Sequence, residues 1–287
     1  MSSVFGIQSE VRTARFEDRN NILSLIENHE YYHHHLDWRS PIDWLGDQPF
    51  VILKSEGKDQ AALACPPRPK GIGWIRLFVV SRSITVGNAW QVLLSEAIRV
   101  GRNSNVTTLV GLGFMRWFCD LLESSGFTHI QDVVGLSLRV PTFPEFEQDG
   151  NFMIRQATEQ DLPAIATLDA RAFDILWQHP LPTLKDAFNQ SGYVSVITSK
   201  DKIVGYQLST CSATTAHLAR LAIDPHLQNR HLGRALIIDL LRYSRRFGLD
   251  HVTVNTQSDN QASLALYRKM GFELSDEKYP VYKLHIV

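Results

Sequence analysis

What most narrows the possible folds of this 287-residue chain is that its sequence returns on itself once. Val11-Arg12-Thr13-Ala14, continuing through Asp18 to Ile22, comes back 143 residues later as Ile154-Arg155-Gln156-Ala157, continuing through Asp161 to Ile165. Trp74 to Val79 is matched by Leu218 to Ile223 at an offset of 144, with Arg76 set against Arg220. Leu121 to Phe127 is matched by Leu266 to Phe272 at 145, each run ending in Gly-Phe. Three anchors in one order, at nearly one offset, predict a tandem duplication of a domain-sized unit. Between the copies, Pro141 and Pro144 remove backbone donors, and Glu145, Glu147 and Asp149 favour solvent. The expected layout is therefore a first domain over 1–140, a linker over 141–151 and a second domain over 152–287.

Composition adds exclusions. With 44% hydrophobic and 21% charged residues, both copies have enough apolar surface for packed cores. The formal charge of −1 creates no field that would draw nucleic acid or anionic lipid, and neither is expected as a partner. Cys65, Cys119 and Cys211 are far apart and form no CxxC pair, so neither a disulfide framework nor a zinc ribbon is expected, and no metal. Met1 to Arg12 lacks the basic and apolar regions of a secretory signal, and no apolar run approaches the roughly 20 residues that span a bilayer. The expectation is a cytoplasmic protein, monomeric or homodimeric, with no membrane partner.

The second copy reads in order. Met153 to Ala157 has strand character, and Thr158 with Asp161 has capping-box spacing before a helix carrying Leu162, Ile165 and Leu168 on one face. Tyr193 to Ile197 and Ile203 to Leu208 flank the polar Lys200-Asp201-Lys202, a hairpin pattern. A strand over Ala216 to Ile223 precedes an amphipathic helix from Gly233 to Phe247, stopped by Gly248. His251 to Asn255 is a strand, and Ala262 to Met270 a helix closed by Gly271. The order is β-α-(α)-β-β-β-α-β-α-β. The first copy is expected to repeat it with weaker signals, Phe50 to Leu53 and Ala61 to Ala64 forming its hairpin.

The segment from Ile223 to Leu236 leads a strand through a polar turn into a helix. Backbone N–H groups at such a helix start have no intrahelical acceptor and sit at the positive end of the dipole, a geometry that binds pyrophosphate. Gly233 permits close approach of the main chain, and Arg230 and Arg234 add positive charge. An ordinary strand-turn-helix with solvated basic residues would show the same pattern.

Together with Asn255 to Asn260 and Ala262 to Phe272, this segment resembles the GNAT superfamily of acyl-CoA-dependent N-acetyltransferases. The family's motif, Gln/Arg-x-x-Gly-x-Gly/Ala after a strand and Asp-Pro, falls on Gln228-Asn229-Arg230-His231-Leu232-Gly233, with His231 where the first glycine usually stands. The resemblance covers residues 152–287. It implies an α/β (α+β) fold of two tandem GNAT domains, each a mixed, largely antiparallel central sheet flanked by helices, in a layout similar to mycothiol synthase. The second copy is also similar to ribosomal-protein alanine acetyltransferases. The resemblance further implies acetyl-CoA as cosubstrate, held by Leu221, Ala222 and Ile223 on the strand and by Gln228, Asn229, Arg230, His231, Leu232, Gly233, Arg234 and Ala235 at the turn. Asn260 would cap the next helix near the pantetheine, and Tyr267 would lie by the sulfur. His217 stands where many members carry a general-base Glu; the alanine acetyltransferases use a Glu on the next strand, where this chain has Asn255.

Acetyl transfer from a thioester to an amine requires a neutral amine, donors for the developing oxyanion and a proton for the leaving thiolate. A tyrosine of pKa about 10 can protonate a thiolate of pKa about 8.5. A histidine of pKa about 6.5 can take the amine proton. The expected activity is N-acetylation of a primary amine by direct attack in a ternary complex, the acceptor being a small molecule or, second, a protein N-terminus. The rival readings are a non-catalytic acyl-CoA sensor and a structural pseudoenzyme in both halves.

Ser81 to Ala89 in the first copy has neither the proline nor the glycine spacing, and Leu121 or Leu122 stands near the Tyr267 position. That copy is expected to be non-catalytic and to pack on the second, shaping the acceptor cleft. His33-His34-His35, read as an aromatic helix end, would diverge by about 100° per residue and so make a poor metal site. Trp38, Trp44, Trp74, Trp90 and Trp117 are expected in core or interface packing of the first copy, with an aromatic acceptor pocket as the alternative. Arg242, Arg245 and Arg246 are expected on a solvated helix face.

Overall fold

The computed structural model describes residues 9–140 and 152–286; the expected linker at 141–151 lies outside them. Contacts divide the chain into two units, unit 1 being Met1–Ile130 with Tyr279–Val287 and unit 2 being Gln131–Lys278. Both cuts fall inside the last strand of a copy.

Unit 1 begins with β1 (Ser9–Thr13) and α1 (Arg19–Glu27), followed by β2 (Tyr31–His34) and the hairpin β3 (Phe50–Ser55) and β4 (Lys58–Ala64). Next come β5 (Ile72–Trp74), β6 (Leu77–Val80), α2 (Val86–Asn103), β7 (Thr108–Leu112), α3 (Arg116–Ser124) and the start of β8 (Thr128–Arg139). Strands β1, β3, β4, β6 and β2 lie side by side in that order, while β7 pairs with β5 on one side and with the 281–285 stretch of the chain's last strand on the other. On α2, Trp90, Leu93, Leu94 and Ala97 form one apolar face that packs with Val51, Leu63 and Phe78. Of the five tryptophans, Trp44, Trp74 and Trp90 are buried and Trp117 packs half-buried against the core, while Trp38 is half-buried; the Trp90 indole N–H donates to Ser125 Oγ at 2.7 Å.

Two expectations fail in unit 1. The run His33 to His35 is not a helix end: His33 and His34 lie in a strand that is antiparallel to β6 from Tyr31 opposite Val80 to His34 opposite Leu77. Aromatic residues alternating across a sheet suit a strand: His33 points into the core while Tyr32 and His34 stack on the other face. The strand expected over Trp74 to Val79 is broken at Ile75 and Arg76, because its first part pairs with β7 and its second with β4.

Unit 2 contains the remainder of β8, then β9 (Met153–Gln156), α4 (Leu162–Ala172), α5 (Leu181–Gln190), β10 (Tyr193–Ser199), β11 (Lys202–Cys211) and β12 (Thr215–Ile223). It continues with α6 (Leu232–Arg246), β13 (His251–Gln257), α7 (Gln261–Lys269) and the first part of β14 (Glu273–His285). The element order is the expected one. Its strands run β8-β13-β12-β11-β10-β9, all neighbours antiparallel except β12 and β13. Ile237, Leu240 and Leu241 of α6 and Leu264, Tyr267 and Met270 of α7 form one core with Ala216, Leu218, Val252 and Val254. The fold is thus α/β with mixed, mostly antiparallel sheet. Among the described residues, no helix is long and apolar enough to cross a membrane.

The duplication is visible bond by bond. Arg12 grips Asp18 through two guanidinium bonds of 2.8 and 2.6 Å, and Arg155 grips Asp161 through two of 2.7 Å. The hairpins turn on left-handed pairs, Glu56 with Gly57 and Lys200 with Asp201. Where the copies differ, the place of α5 is taken in the first by β2 and a short helical turn over Pro41–Trp44.

Candidate active site

The site begins where two strands of unit 2 part. β12 and β13 are paired in parallel from Thr215 with His251 to Leu218 with Val254, and there the pairing stops. Both strands continue, β12 to Ile223 and β13 to Gln257, so Arg220 to Ile223 keep their pairing to β11 but, among the described residues, have no strand on the β13 side. An extended ligand arm fits such an edge, which offers backbone donors and acceptors.

The turn after β12 supplies the second part. Asp224 accepts from His226 N–H at 3.0 Å and its main-chain N–H donates to Val204 O at 2.8 Å, which sets the exit of the strand. Asn229 and His231 both have φ of 61°, in the left-handed region. Left-handed residues in a turn are an ingredient of backbone amide nests that take anions. His231 is the residue before α6; its side chain is exposed and makes no bond to the helix start. The helical ladder opens with Ala235 N–H donating to His231 O at 3.0 Å, so the amides ahead of it are the N-terminal donors of a fifteen-residue helix. Gln228, Asn229, Arg230 and Arg234 are exposed, Leu232 is buried as the anchor, and Gly233 and Ala235 are half-buried. A Cβ on Gly233 would come within 3.1 Å of Leu266 Cδ2, so the helix start packs close on α7.

A bulge decides which way β12 presents its side chains. β11 pairs Leu208 with Arg220 and Ser209 with Leu218, leaving Ala219 as the extra residue. Leu208 and Thr210 lie on one face of β11, and their partners are Arg220 and His217, so those two share a face although they are three residues apart. Without the bulge they would face opposite sides. That face is packed by α4, because Arg220 reaches Asp169 with Nε at 2.6 Å and Nη2 at 2.9 Å. His217 is half-buried, its Nδ1 lies 2.8 Å from Thr253 Oγ1, and burial holds its pKa below the ordinary histidine value. It is therefore neutral at neutral pH.

Around Asp169 lies a buried network that sequence reasoning missed. Its carboxylate also accepts from Tyr206 OH and from His179 N–H, the latter at 2.7 Å. Arg220 in turn donates to Trp177 O at 2.6 Å and lies 3.8 Å above the Phe173 ring. The segment from Phe173 to Pro180, between α4 and α5, is thus tied to β12 on the His217 face. The only signal in the sequence was the match of Arg220 to Arg76, which makes a similar buried pair with Asp37 at 2.8 Å.

On the other face stands α7. Asn260 caps it, its Oδ1 accepting from Ser263 N–H at 3.1 Å. Tyr267 packs in the core with α6 residues, its ring 5.5 Å from Phe272, and is only 4% exposed. Burial raises its pKa, so the phenol keeps its proton. Leu221 is half-buried, Ala222 buried and Ile223 half-buried along the open edge. Asn255 is exposed on β13, opposite Gly135 of β8.

Unit 1 parts in the same register, its last parallel pair being Trp74 with Val110, and there a buried histidine reaches the main chain just past that pair. His33 Nε2 lies 3.3 Å from Ile75 O, and its ring stacks on Phe118 at 3.8 Å. The turn before α2 has no left-handed residue between Ser81 and Val86.

Residues 162–272 match the acetyltransferase (GNAT) family. A mycothiol acetyltransferase of Saccharomonospora viridis is 29% identical over 133 residues, 40% of this chain and 43% of that protein. A ribosomal-protein bS18 alanine N-acetyltransferase of Salmonella typhimurium is 29% identical over 115 residues, 39% of this chain and 74% of that protein. The match spans about two fifths of the length of the mycothiol acetyltransferases. A tandem GNAT protein from the clavulanic acid biosynthesis pathway shares the fold across 98% of this chain and 99% of its own, with TM-score 0.63 and 13% identity. A GCN5-related N-acetyltransferase from Sphaerobacter thermophilus does so across 97% and 96%, with TM-score 0.62 and 16% identity. The strand opening, the turn and its helix all fall within the matched stretch, and residues 162–272 accordingly form a GNAT acetyltransferase domain within a fold of the tandem GNAT kind.

Proposed function

We propose that unit 2 transfers an acetyl group from acetyl-CoA to a primary amine by direct attack, with a small-molecule acceptor favoured over a protein N-terminus. The observation that carries this reading is the parting of β12 from β13 beside a left-handed turn and a helix start. These residues fit the cosubstrate: the amides from Asn229 to Arg234, ahead of the Ala235 N–H that opens the helical ladder, suit its diphosphate, and the open edge at Leu221 to Ile223 suits its pantetheine arm. Bound there, acetyl-CoA would supply the activated acyl group.

His217 faces the α4 side and Tyr267 belongs to the α6 and α7 side, so amine and thioester would meet at the opening from opposite faces. His217, neutral at neutral pH, would take the amine proton, and Tyr267 would return one to the thiolate. The relatives' names support a nitrogen acceptor, one of them being an alanine N-acetyltransferase.

Thiol release from acetyl-CoA, measured across a panel of small amines and an Ala-initiated peptide, tests this. Release should depend on the amine and fall about a hundredfold or more in Tyr267→Phe, with the melting temperature held. The burial of Tyr267 favours one alternative, a non-catalytic acyl-CoA-binding module. That reading gains if acetyl-CoA binds by calorimetry while no amine is turned over.

A further inference from the structure

Thr253 stands opposite His217 in the parallel register of β12 and β13, one pair before the strands part. Opposite residues of a ladder point to one face, and the Thr253 hydroxyl lies 2.8 Å from His217 Nδ1. The β-branched side chain of threonine is stiff at χ1, so this hydroxyl is a fixed contact at the mouth of the opening. A neutral imidazole carries one proton, and the bond made by one ring nitrogen decides the role of the other. We infer that Thr253 is a positioning residue that accepts the Nδ1 proton of His217, and so leaves Nε2 unprotonated as the proton acceptor on the α4 face. This inference rests on the acyltransferase reading for its purpose, though its physical content is the tautomer itself.

The arrangement gives a strand histidine what it needs to act as a base in place of a carboxylate. Nδ1–H donates to Thr253 Oγ1, and Nε2 keeps its lone pair for an amine proton. Once protonated, the ring donates from both nitrogens, and the bond to Thr253 survives the transfer.

The full chain labelled with 15N-histidine reports the tautomer through long-range proton–nitrogen correlations, the His217 signals being identified by their loss in His217→Gln. In the wild-type protein at neutral pH, His217 should be the Nδ1-protonated form. Thr253→Val keeps the β-branched shape and removes the hydroxyl; it should yield a mixture of tautomers or the Nε2-protonated form, and Thr253→Ser should restore the first. An Nε2-protonated ring in the wild type, or an unchanged ring in Thr253→Val, overturns the inference. With a turned-over amine, Thr253→Val should lower kcat/KM for the amine about tenfold and leave KM for acetyl-CoA unchanged, with recovery in Thr253→Ser. The tautomer is read without turnover, so a protein that acetylates no amine but shows the expected ring states refutes the acyltransferase reading alone.

Discussion

Arg220 and Asp169 meet through two charge-assisted bonds, Nε to Oδ2 at 2.6 Å and Nη2 to Oδ1 at 2.9 Å, with the aspartate completely buried. The pair joins β12 to α4 and also binds the main chain at Trp177 and His179. Removing Asp169 would leave a buried guanidinium with its principal counter-charge gone. Asp169→Ala should therefore cost about 3–5 kcal/mol in urea unfolding. A paired replacement, Asp169→Leu with Arg220→Met, should cost less than Asp169→Ala, because no lone charge remains. A protease should cut the Phe173 to Pro180 segment faster in Asp169→Ala.

His33 gives unit 1 a pH dependence. Burial lowers its pKa from 6.5 to about 3. The folded state thus binds this proton more weakly than the unfolded state, and the stability His33 contributes is present above about pH 6.5 and lost as the pH falls towards 3. Between pH 7 and pH 5 the loss from this group should be about 2 kcal/mol. His33→Phe retains a ring beside Phe118 and has nothing to titrate. The difference in unfolding free energy between the two proteins, followed against pH, should show that slope; parallel curves would refute it.

His231 has φ of 61° without a glycine's freedom. A left-handed backbone costs an ordinary residue about 1–2 kcal/mol, partly offset in glycine by its greater unfolded-state entropy. His231→Gly should raise stability by about 0.5–1 kcal/mol and bind acetyl-CoA at least as tightly in calorimetry. His231→Val should do the reverse, since a β-branched residue tolerates that conformation poorly.

Asn260 bonds to Ser263 N–H at the start of α7. Asn260→Ala should lower stability by about 1 kcal/mol, and Asn260→Asp should retain most of it. Chemical denaturation of the three proteins measures both.

Features made by residues near one another in the chain were legible in advance. The Thr158 and Asp161 spacing and the stops at Gly248 and Gly271 rest on bonds and backbone conformations spanning a few residues, while the Asn260 cap was implied by the family resemblance. Hydrophobic periodicity likewise located α6, β12 and β13 to within a residue or two. Reading His33 to His35 as a helix end failed because three residues carry too little periodicity, and the pairing of Tyr31 to His34 with β6, forty-odd residues away, chose the strand.

By itself, then, the sequence determined the duplication, the order of elements in the second copy and the turn from Gln228 to Ala235, all of which follow from local propensity and repetition. Only the tertiary structure decided that Ala219 bulges, that His217 and Arg220 consequently share a face, and that Asp169, fifty-one residues from Arg220, closes the network beneath them. It also decided that His33 meets the main chain of Ile75, forty-two residues away, where the first copy's strands part. The reason is physical. The worth of a buried charge or an imidazole proton is set by what surrounds it after folding, and those neighbours are distant in the chain.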